Sequence, residues 1–292
     1  MEKREPMVLI ACGKKGVGKT VATVEMIYRY ISGNPATGVA PRKALIFDVN
    51  DEFSHFWYHG QMHTIKAIAI RDILRFTVHP KIEVRRIRQF TDDGKKMSVQ
   101  DMQDTLGLIL DNYRNGLLLV EDINKYTSDT IRADLVGSLA TVRHIGIDLV
   151  AHYQSVGRAA NPKLLGNTKV IRLHKTNDTV ARHKNKFEER TEIMQIAESI
   201  VEKKFNDGDK RYYLYVDIDE GKIHGKFNKD DINYAIQDYA AKHHSALVKP
   251  LLTKIDLKTG KKIYTPQTAL KQIIIDLQNK YFESKVTPTD IT

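Results

Sequence analysis

An eight-residue loop near the amino terminus carries the residue types best suited to chemistry. It reads Gly13, Lys14, Lys15, Gly16, Val17, Gly18, Lys19 and Thr20. An apolar run over residues 7–12 precedes it, and a helical pattern of apolar residues begins at Val21. In this strand, loop and helix setting, the motif G-x-x-x-x-G-K-[ST] predicts backbone N–H groups that converge on phosphate. Lys19 would supply a charge for the β- and γ-phosphates, and Thr20 a hydroxyl for Mg²⁺. The loop therefore predicts a nucleoside triphosphate site with Mg²⁺ as cofactor, bound by these eight residues.

Acidic residues follow two later apolar runs. Glu121 and Asp122 come directly after residues 117–120, and the run over residues 44–48 continues into a segment that contains Glu52. In P-loop ATPases, such a strand lies beside the P-loop strand, and the carboxylates at its end reach the Mg²⁺ ion and the attacking water. We expect the same of the strand over residues 117–120. An ordinary buried strand that ends in solvated acids is the alternative, and the P-loop about a hundred residues earlier disfavours it.

Elements that alternate between strand and helix would position these groups. The apolar runs are uninterrupted, which is typical of strands covered on both faces, and the connecting turns are short. The pattern predicts an α/β fold with a mainly parallel sheet, helices on both faces and ligands at the carboxyl ends of the strands. The predicted strands cover residues 7–12, 44–48, 84–90, 117–120, 147–152 and 168–173, and the predicted helices residues 20–31, 98–113, 129–144 and 191–205.

The later part of the chain changes character. Residues 211–216, which are rich in tyrosine, and residues 222–227 predict the two strands of a β-hairpin. An amphipathic helix is predicted over residues 266–281. We therefore expect a P-loop domain over residues 1–245 and a carboxy-terminal extension over residues 246–292, with a hairpin-like turn and that helix.

Composition limits the environment and the partners. No apolar run approaches the roughly 20 residues that span a bilayer, and the first residues are charged, so we expect a cytoplasmic protein without a membrane partner. The single cysteine, Cys12, excludes internal disulfides, and we expect it to be buried. Lysine and arginine exceed aspartate and glutamate by 46 to 36, a net charge of +10 that is compatible with a polyanionic partner. Lys81, Arg85, Arg86 and Arg88 form a basic cluster that is either a solvated rim or a phosphate contact.

The order of motifs resembles the FtsK/HerA superfamily of P-loop DNA-pumping ATPases. Four stretches carry the resemblance: GKKGVGKT, FDVNDEF, LLLVEDI, and VRHIGIDLVAHYQS followed by NTKVIRLHKTNDTVAR. The last stretch is the most specific, and its matching positions are Arg143, Gly146, Ile147, Gln154, Asn167, Arg172 and Asp178. The resemblance covers about residues 6–185 and extends toward residue 228 if the hairpin is included.

The resemblance implies a RecA/FtsK-type fold and a ring, hexameric or pentameric, that hydrolyses ATP between subunits and translocates double-stranded DNA. It implies that Gln154 senses the γ-phosphate and that Arg143 or Arg158 is the arginine finger that acts in trans, a choice that stays open. Glu121 would then be the acid on the Mg²⁺ side and Asp122 the general base, with Glu52 as the substitute candidate. The chain departs from the family in its Glu-Asp order where Asp-Glu is usual, and in Asp51 where HerA proteins have glycine.

A compact chain of this kind looks most like the ATPases that package viral or mobile-element genomes. That interpretation implies capsid or portal components as partners, and a location in the host cytoplasm or with the virion. A dimeric switch of the ParA/MinD kind is one alternative, because those proteins carry an extra lysine where Lys14 stands. A phage assembly ATPase of the zonula-occludens-toxin kind is another, and a degenerate nucleotide-binding subunit is a third.

Overall fold

The computed structural model describes residues 6–58, 60–125, 142–159 and 162–282. An eight-stranded sheet forms its centre, in the order β10-β9-β8-β1-β7-β6-β2-β5, and a separate two-stranded hairpin joins β3 to β4. Strands β8 through β5 in that order are parallel, whereas β9 and β10 are antiparallel at one edge. The strands are β1 Val8–Cys12, β2 Ala44–Asp48, β3 His55–Tyr58, β4 Gln61–Thr64, β5 Val84–Arg88, β6 Leu117–Val120, β7 Asp148–Tyr153, β8 Val170–His174, β9 Tyr213–Asp217 and β10 Lys222–Gly225.

Helices cover both faces of this sheet. They are α1 Lys19–Ser32, α2 Ile73–Val78, α3 Val99–Asn112, α4 Val156–Ala159, α5 Pro162–Leu165, α6 Lys184–Phe187, α7 Thr191–Asn206, α8 Lys229–Lys242, α9 His244–Leu252 and α10 Pro266–Tyr281. Alternate residues of β1 enter different cores: Ile10 packs with residues of α3 and α7, whereas Leu9 packs with Val24 and Ile27 of α1. Side chains on a strand point alternately to the two faces, so a strand buried on both sides must be apolar throughout. The α/β fold class with a mainly parallel sheet is confirmed.

The expected place of β6 was wrong. It lies between β7 and β2, and β7 separates it from the P-loop strand β1. Val150 of β7 faces Leu9 on one side and Leu119 on the other. All six residues of β7 are buried, as a central strand requires, whereas the apolar run of β6 alone did not specify its neighbours. As a consequence, residue 154 at the end of β7 stands between the P-loop and the acids of β6.

Local signals predicted several elements closely. Ser98 and Asp101 form a capping box at the start of α3, and α10 has the predicted limits. The hairpin of β9 and β10 is confirmed. The predicted helix over residues 129–144 lies almost entirely outside the described residues, and Val142–Ile145 forms a 3-10 turn.

The hairpin of β3 and β4 was missed by the sequence analysis. Its Phe56, Tyr58 and His63 rings pack around Tyr28 of α1, with Tyr28 and Tyr58 stacked at 4.7 Å between ring centroids. This contact joins segments about thirty residues apart, and no local pattern encodes it. The outer face of the hairpin leaves Trp57 and Met62 exposed.

The last described helices pack against the same core as the sheet. Ala269, Ile273, Leu277 and Tyr281 of α10 are buried, and α10 contacts both α8 and α9. The division at residue 245 stays a prediction. None of the described helices has the length and apolar character needed to cross a bilayer.

Candidate nucleotide site

The P-loop follows β1 at the carboxyl edge of the sheet and leads into α1. Gly13 donates its N–H to the Tyr153 carbonyl at 3.0 Å, and Lys14 donates to the Lys175 carbonyl at 2.9 Å. These bonds anchor the loop to the ends of β7 and β8. Gly16 and Gly18 have φ of 83° and 88°, a region that favours glycine.

Gly13 is required for a different reason. A Cβ atom there would lie 2.7 Å from Cβ of His174 and 2.9 Å from a methyl carbon of Val17. Any side chain at this position would push the loop away from β8, so the first glycine of the motif permits close packing of the backbone.

Lys19 points its ammonium group into the loop. Its Nζ donates to the Gly13 carbonyl at 2.6 Å and to the Lys14 carbonyl at 3.0 Å. Burial lowers the pKa of Lys19, and the charge of Asp122 is the largest of the effects that oppose this shift. The lysine is therefore a partly desolvated charge, which interacts more strongly with a phosphate than a solvated one would.

Thr20 is joined to the segment that follows β2. Its hydroxyl donates to Oε2 of Glu52 at 3.0 Å. Glu52 is itself positioned because its N–H donates to Oδ1 of Asp48 at 2.9 Å. The structure thus brings Thr20 and Glu52 together, although 32 residues separate them in the chain.

A buried ion pair holds this segment in place. Arg86 of β5 donates to Oδ2 of Asp48 at 2.9 Å and also contacts the Asp51 carboxylate. Asp51 has φ of 57°, a backbone conformation that glycine adopts more readily than other residues. Of the basic cluster noted in the sequence, Arg86 is therefore neither a solvated rim nor a phosphate contact, because it is buried against these acids.

Glu121 lies at the end of β6 and faces the same segment. Its carboxylate accepts the backbone N–H of Asn50 at 3.1 Å and the side-chain amide of Asn50 at 2.7 Å. Burial, together with the nearby charges of Glu52 and Asp48, raises the pKa of Glu121 to about 8. The neutral form of Glu121 is thus favoured, and a cation bound beside it would favour the ionised form.

Asp122 faces the end of β7 instead. Its Oδ2 accepts the side-chain amide of Gln154 at 2.9 Å. Its Oδ1 is buried and has no hydrogen-bond partner among the described residues. Asp122 also has φ of 41°, a conformation that aspartate tolerates and that turns the chain sharply after β6. One oxygen of this carboxylate is therefore oriented and the other is available to a ligand.

The oxygen atoms at this edge fit Mg²⁺, the ion that a P-loop site implies. Thr20, Glu121 and Glu52 offer hydroxyl and carboxylate oxygens, which are hard ligands. The described residues contain no group of three or more His, Cys, Asp or Glu that would hold a metal alone. Phosphate oxygens of a bound nucleotide would complete the coordination of such an ion.

The two candidate arginine fingers belong to different elements. Arg143 belongs to the 3-10 turn Val142–Ile145, and the position of its side chain lies outside the described part of the structure. Arg158 is exposed in α4 and has no ion pair among the described residues. Asp178 fixes the start of α4, because its carboxylate accepts the N–H groups of Val156 and Gly157 at 3.0 and 2.8 Å.

A buried polar cluster lies beneath the first turn of α1. Arg172 of β8 donates to the Thr23 hydroxyl and to the Lys19 carbonyl at 3.3 Å, and the Thr23 hydroxyl bonds Nε2 of His152 at 2.7 Å. Nδ1 of His174 lies 3.2 Å from the Val17 carbonyl. Burial lowers the pKa of both histidines far below the usual range, so they are neutral beside the arginine.

Sequence analysis noted Arg172 only as a match and missed Asn50, Thr23, His152 and His174 altogether. The sequence did contain a signal for Arg172 and His174, because these two residues interrupt the otherwise apolar run of β8 at alternate positions. Charged and polar side chains of this size are seldom fully buried unless they have polar partners, so their place in the strand indicated a buried polar cluster.

No known family model matches this chain, and no curated protein matches it either. Solved structures do match. The genome packaging NTPase B204 from Sulfolobus turreted icosahedral virus 2, in complex with AMP, is 15% identical with a TM-score of 0.49, over 77% of this chain and 100% of that one. The N-terminal domain of zonular occludens toxin from Neisseria meningitidis is 17% identical with a TM-score of 0.35, over 60% and 79%. The pCW3 conjugation coupling protein TcpA is 13% identical with a TM-score of 0.40, over 82% and 65%.

A viral packaging NTPase is thus among the solved structures that this chain is similar to. At these identities the similarity concerns the fold. The chemistry is argued from the residues of this chain.

Proposed function

We propose that this protein is an ATP hydrolase that forms a ring, translocates double-stranded DNA and packages a viral or mobile-element genome. One observation carries the catalytic part: the P-loop Lys19 and Thr20 share one sheet edge with Glu52, and with Asp122 bonded to Gln154. Three strands besides β1 contribute to this edge. Groups that bind phosphate, orient water and report on the γ-phosphate are then within one site.

The residues divide the reaction between them. Lys19 and the loop N–H groups bind the β- and γ-phosphates. Thr20, Glu121 and Glu52 would hold Mg²⁺, which would neutralise charge on the phosphate oxygens. The free oxygen of Asp122 accepts a proton from a water molecule. The oxygen of that water bonds to the γ-phosphorus while the bond between the γ-phosphorus and the β–γ bridging oxygen breaks. ADP and phosphate are the products. Gln154 orients Asp122 through its amide, and senses the γ-phosphate.

Charge supports the DNA part of the proposal. The chain carries a net charge of +10, and Lys66, Arg71, Arg75 and Lys81 are exposed. Cations of this kind bind the phosphate backbone without reading sequence, which suits a motor that must move along any DNA. We further propose that the oligomer is a pentamer or hexamer that binds capsid or portal components.

The test is ATP hydrolysis with and without linear duplex DNA over a range of salt concentrations. We expect turnover that DNA stimulates at low salt, and a Lys19→Ala variant that loses at least about 100-fold in kcat, because a fixed cation at the phosphates is removed. Lys271→Ala is the matched control, since Lys271 is exposed on α10 outside the site. Absence of ATP turnover in the wild-type protein at every salt concentration would sink the proposal. Turnover that DNA never stimulates would reject the motor, and an ATP-dependent dimer would favour a switch.

A further inference from the structure

The turn between α7 and β9 lies directly against the P-loop. A Cβ atom at Gly18 would stand 3.4 Å from both Cβ and Cγ of Arg211. The aliphatic part of Arg211 therefore passes over the last glycine of the motif, one residue before Lys19. Arg211 is exposed, so its guanidinium group extends from this contact into the solvent beside the loop.

Several cations meet around this loop. Nζ of Lys14 lies 4.4 Å from the centre of the Phe205 ring, and Nζ of Lys210 lies 4.1 Å from the same centre. Together with Lys19 and Arg211 they make four positive side chains around one phosphate-binding motif. Neither Lys14 nor Arg211 forms an ion pair with a carboxylate among the described residues. Like charges this close repel one another, and a polyanion relieves that repulsion.

The turn holds Arg211 in a defined place. Asp209 donates its N–H to the Lys204 carbonyl at 3.0 Å, and its own carboxylate accepts the backbone N–H of Arg211 at 3.2 Å. Tyr212, the next residue, is buried. The backbone beside the P-loop is thus tied to the end of α7 on one side and to the core on the other, so Arg211 is presented by ordered structure.

We propose that Arg211 is a nucleotide-binding residue that acts in its own subunit and contacts the phosphate oxygens of a nucleotide held by the P-loop. The inference rests on the proposed function, because it assigns a further residue to the same site. It differs from the role proposed for Arg143 or Arg158, which would reach the site of a neighbouring subunit. A guanidinium group suits this role because it bonds phosphate oxygens with two parallel N–H groups.

The experiment separates the charge of Arg211 from its packing. Arg211→Met keeps an unbranched apolar stem to cover Gly18 and removes the charge, whereas Arg211→Lys keeps a charge. The affinity of each variant for a fluorescent ATP analogue is measured at a protein concentration where the wild-type chain is monomeric. We expect Arg211→Met to bind about tenfold or more weakly, since a charged hydrogen bond to phosphate is lost, and Arg211→Lys to recover part of the loss.

Lys271→Met is the control. Lys271 is also exposed, belongs to α10 outside the site and forms no ion pair among the described residues, and we expect wild-type affinity. Inorganic tripolyphosphate, used as a competitor, identifies the part of the nucleotide that is contacted: the proposal requires that Arg211→Met weakens its binding too. Thermal unfolding checks that the variants fold, and Arg211→Gln serves in place of the methionine variant if that one does not.

Two results would overturn the assignment. One is an Arg211→Met variant that binds the ATP analogue within twofold of the wild type, which would mean that Arg211 only packs on the loop. The other is a loss for the ATP analogue but none for tripolyphosphate, which would place the contact on the base or ribose. Failure of the proposed function would be recognised differently, because the wild-type protein would then show no ATP turnover, whereas this experiment measures binding alone.

Discussion

Asp122 and Glu52 are the two carboxylates that compete for the role of general base. Asp122 has one oxygen bonded to Gln154 and one buried without a partner among the described residues. Glu52 instead accepts the hydroxyl of Thr20, the residue expected to meet Mg²⁺. A base needs a free acceptor near the attacking water, so the geometry favours Asp122 for proton transfer and Glu52 for the metal side.

The prediction is a different defect for each acid. Asp122→Asn keeps an acceptor for Gln154 but removes the base, so we expect kcat to fall by about 10²- to 10⁴-fold with ATP affinity nearly unchanged. For Glu52→Gln we expect a higher Mg²⁺ concentration at half-maximal rate, with most of kcat restored at saturating Mg²⁺. Asp276→Asn on the surface of α10 is the control. If Glu52→Gln abolishes turnover at every Mg²⁺ concentration while Asp122→Asn stays active, the two roles are reversed.

At this scale, the sequence predicts what is local. The P-loop could be recognised because its phosphate-binding groups belong to eight consecutive residues, and because the backbone conformation of the loop requires glycine at positions 16 and 18. Asn50, Thr23 and His152 could not, because each acquires its role from a partner more than 70 residues away. Which acid faces Asn50 and which faces Gln154 depended on the order of β6 and β7 in the sheet.

Among the elements, α10 shows how much a periodic pattern specifies. Its limits followed from the capping threonine, the proline after it and the apolar spacing. Its partners did not follow, because they are set by tertiary packing. Glu192 of α7 accepts hydrogen bonds from the Tyr281 hydroxyl, from Lys280 at 2.9 Å and from Tyr239 at 3.3 Å, and these interactions lower its pKa although burial opposes them. The helix is thus held against the core of the sheet domain by hydrogen bonds at its end and by apolar burial along its length.

This packing predicts a contrast between two residues of the same helix. Leu277 is 5% exposed in the main core, whereas Ile275 is 48% exposed. We expect Leu277→Ala to lower the free energy of unfolding by about 2–4 kcal/mol, because apolar contacts are lost and a cavity forms. The Ile275→Ala control should change it by less than about 0.5 kcal/mol. Urea unfolding monitored by circular dichroism measures both values. Equal effects of the two substitutions would mean that α10 does not pack in solution as described.

For the whole molecule, the site in one chain supplies every proposed group except an arginine finger. Arg158 lies four residues after Gln154, in a short helix whose start Asp178 fixes, and its exposed side chain has no ion pair among the described residues. An exposed arginine that an ordered backbone presents four residues after Gln154, the proposed γ-phosphate sensor, is suited to a site on a neighbouring copy. A ring of identical subunits in head-to-tail contact would give each P-loop one such arginine.

Mixing two inactive variants tests this arrangement. Lys19→Ala removes the phosphate-binding lysine and Arg158→Ala removes the finger, so each variant alone should hydrolyse ATP poorly. In an equal mixture that reassembles at random, about one interface in four pairs an intact P-loop with an intact Arg158 from the next subunit. We therefore expect about a quarter of the wild-type ATPase activity to return. Differently tagged subunits must first be shown to co-purify. A mixed oligomer that stays inactive would show that Arg158 does not act across the interface, because complementation requires the two residues to come from different chains. The same mixture made with Arg211→Met in place of Arg158→Ala should show no such recovery, since a residue that acts in its own subunit cannot be supplied by a neighbour.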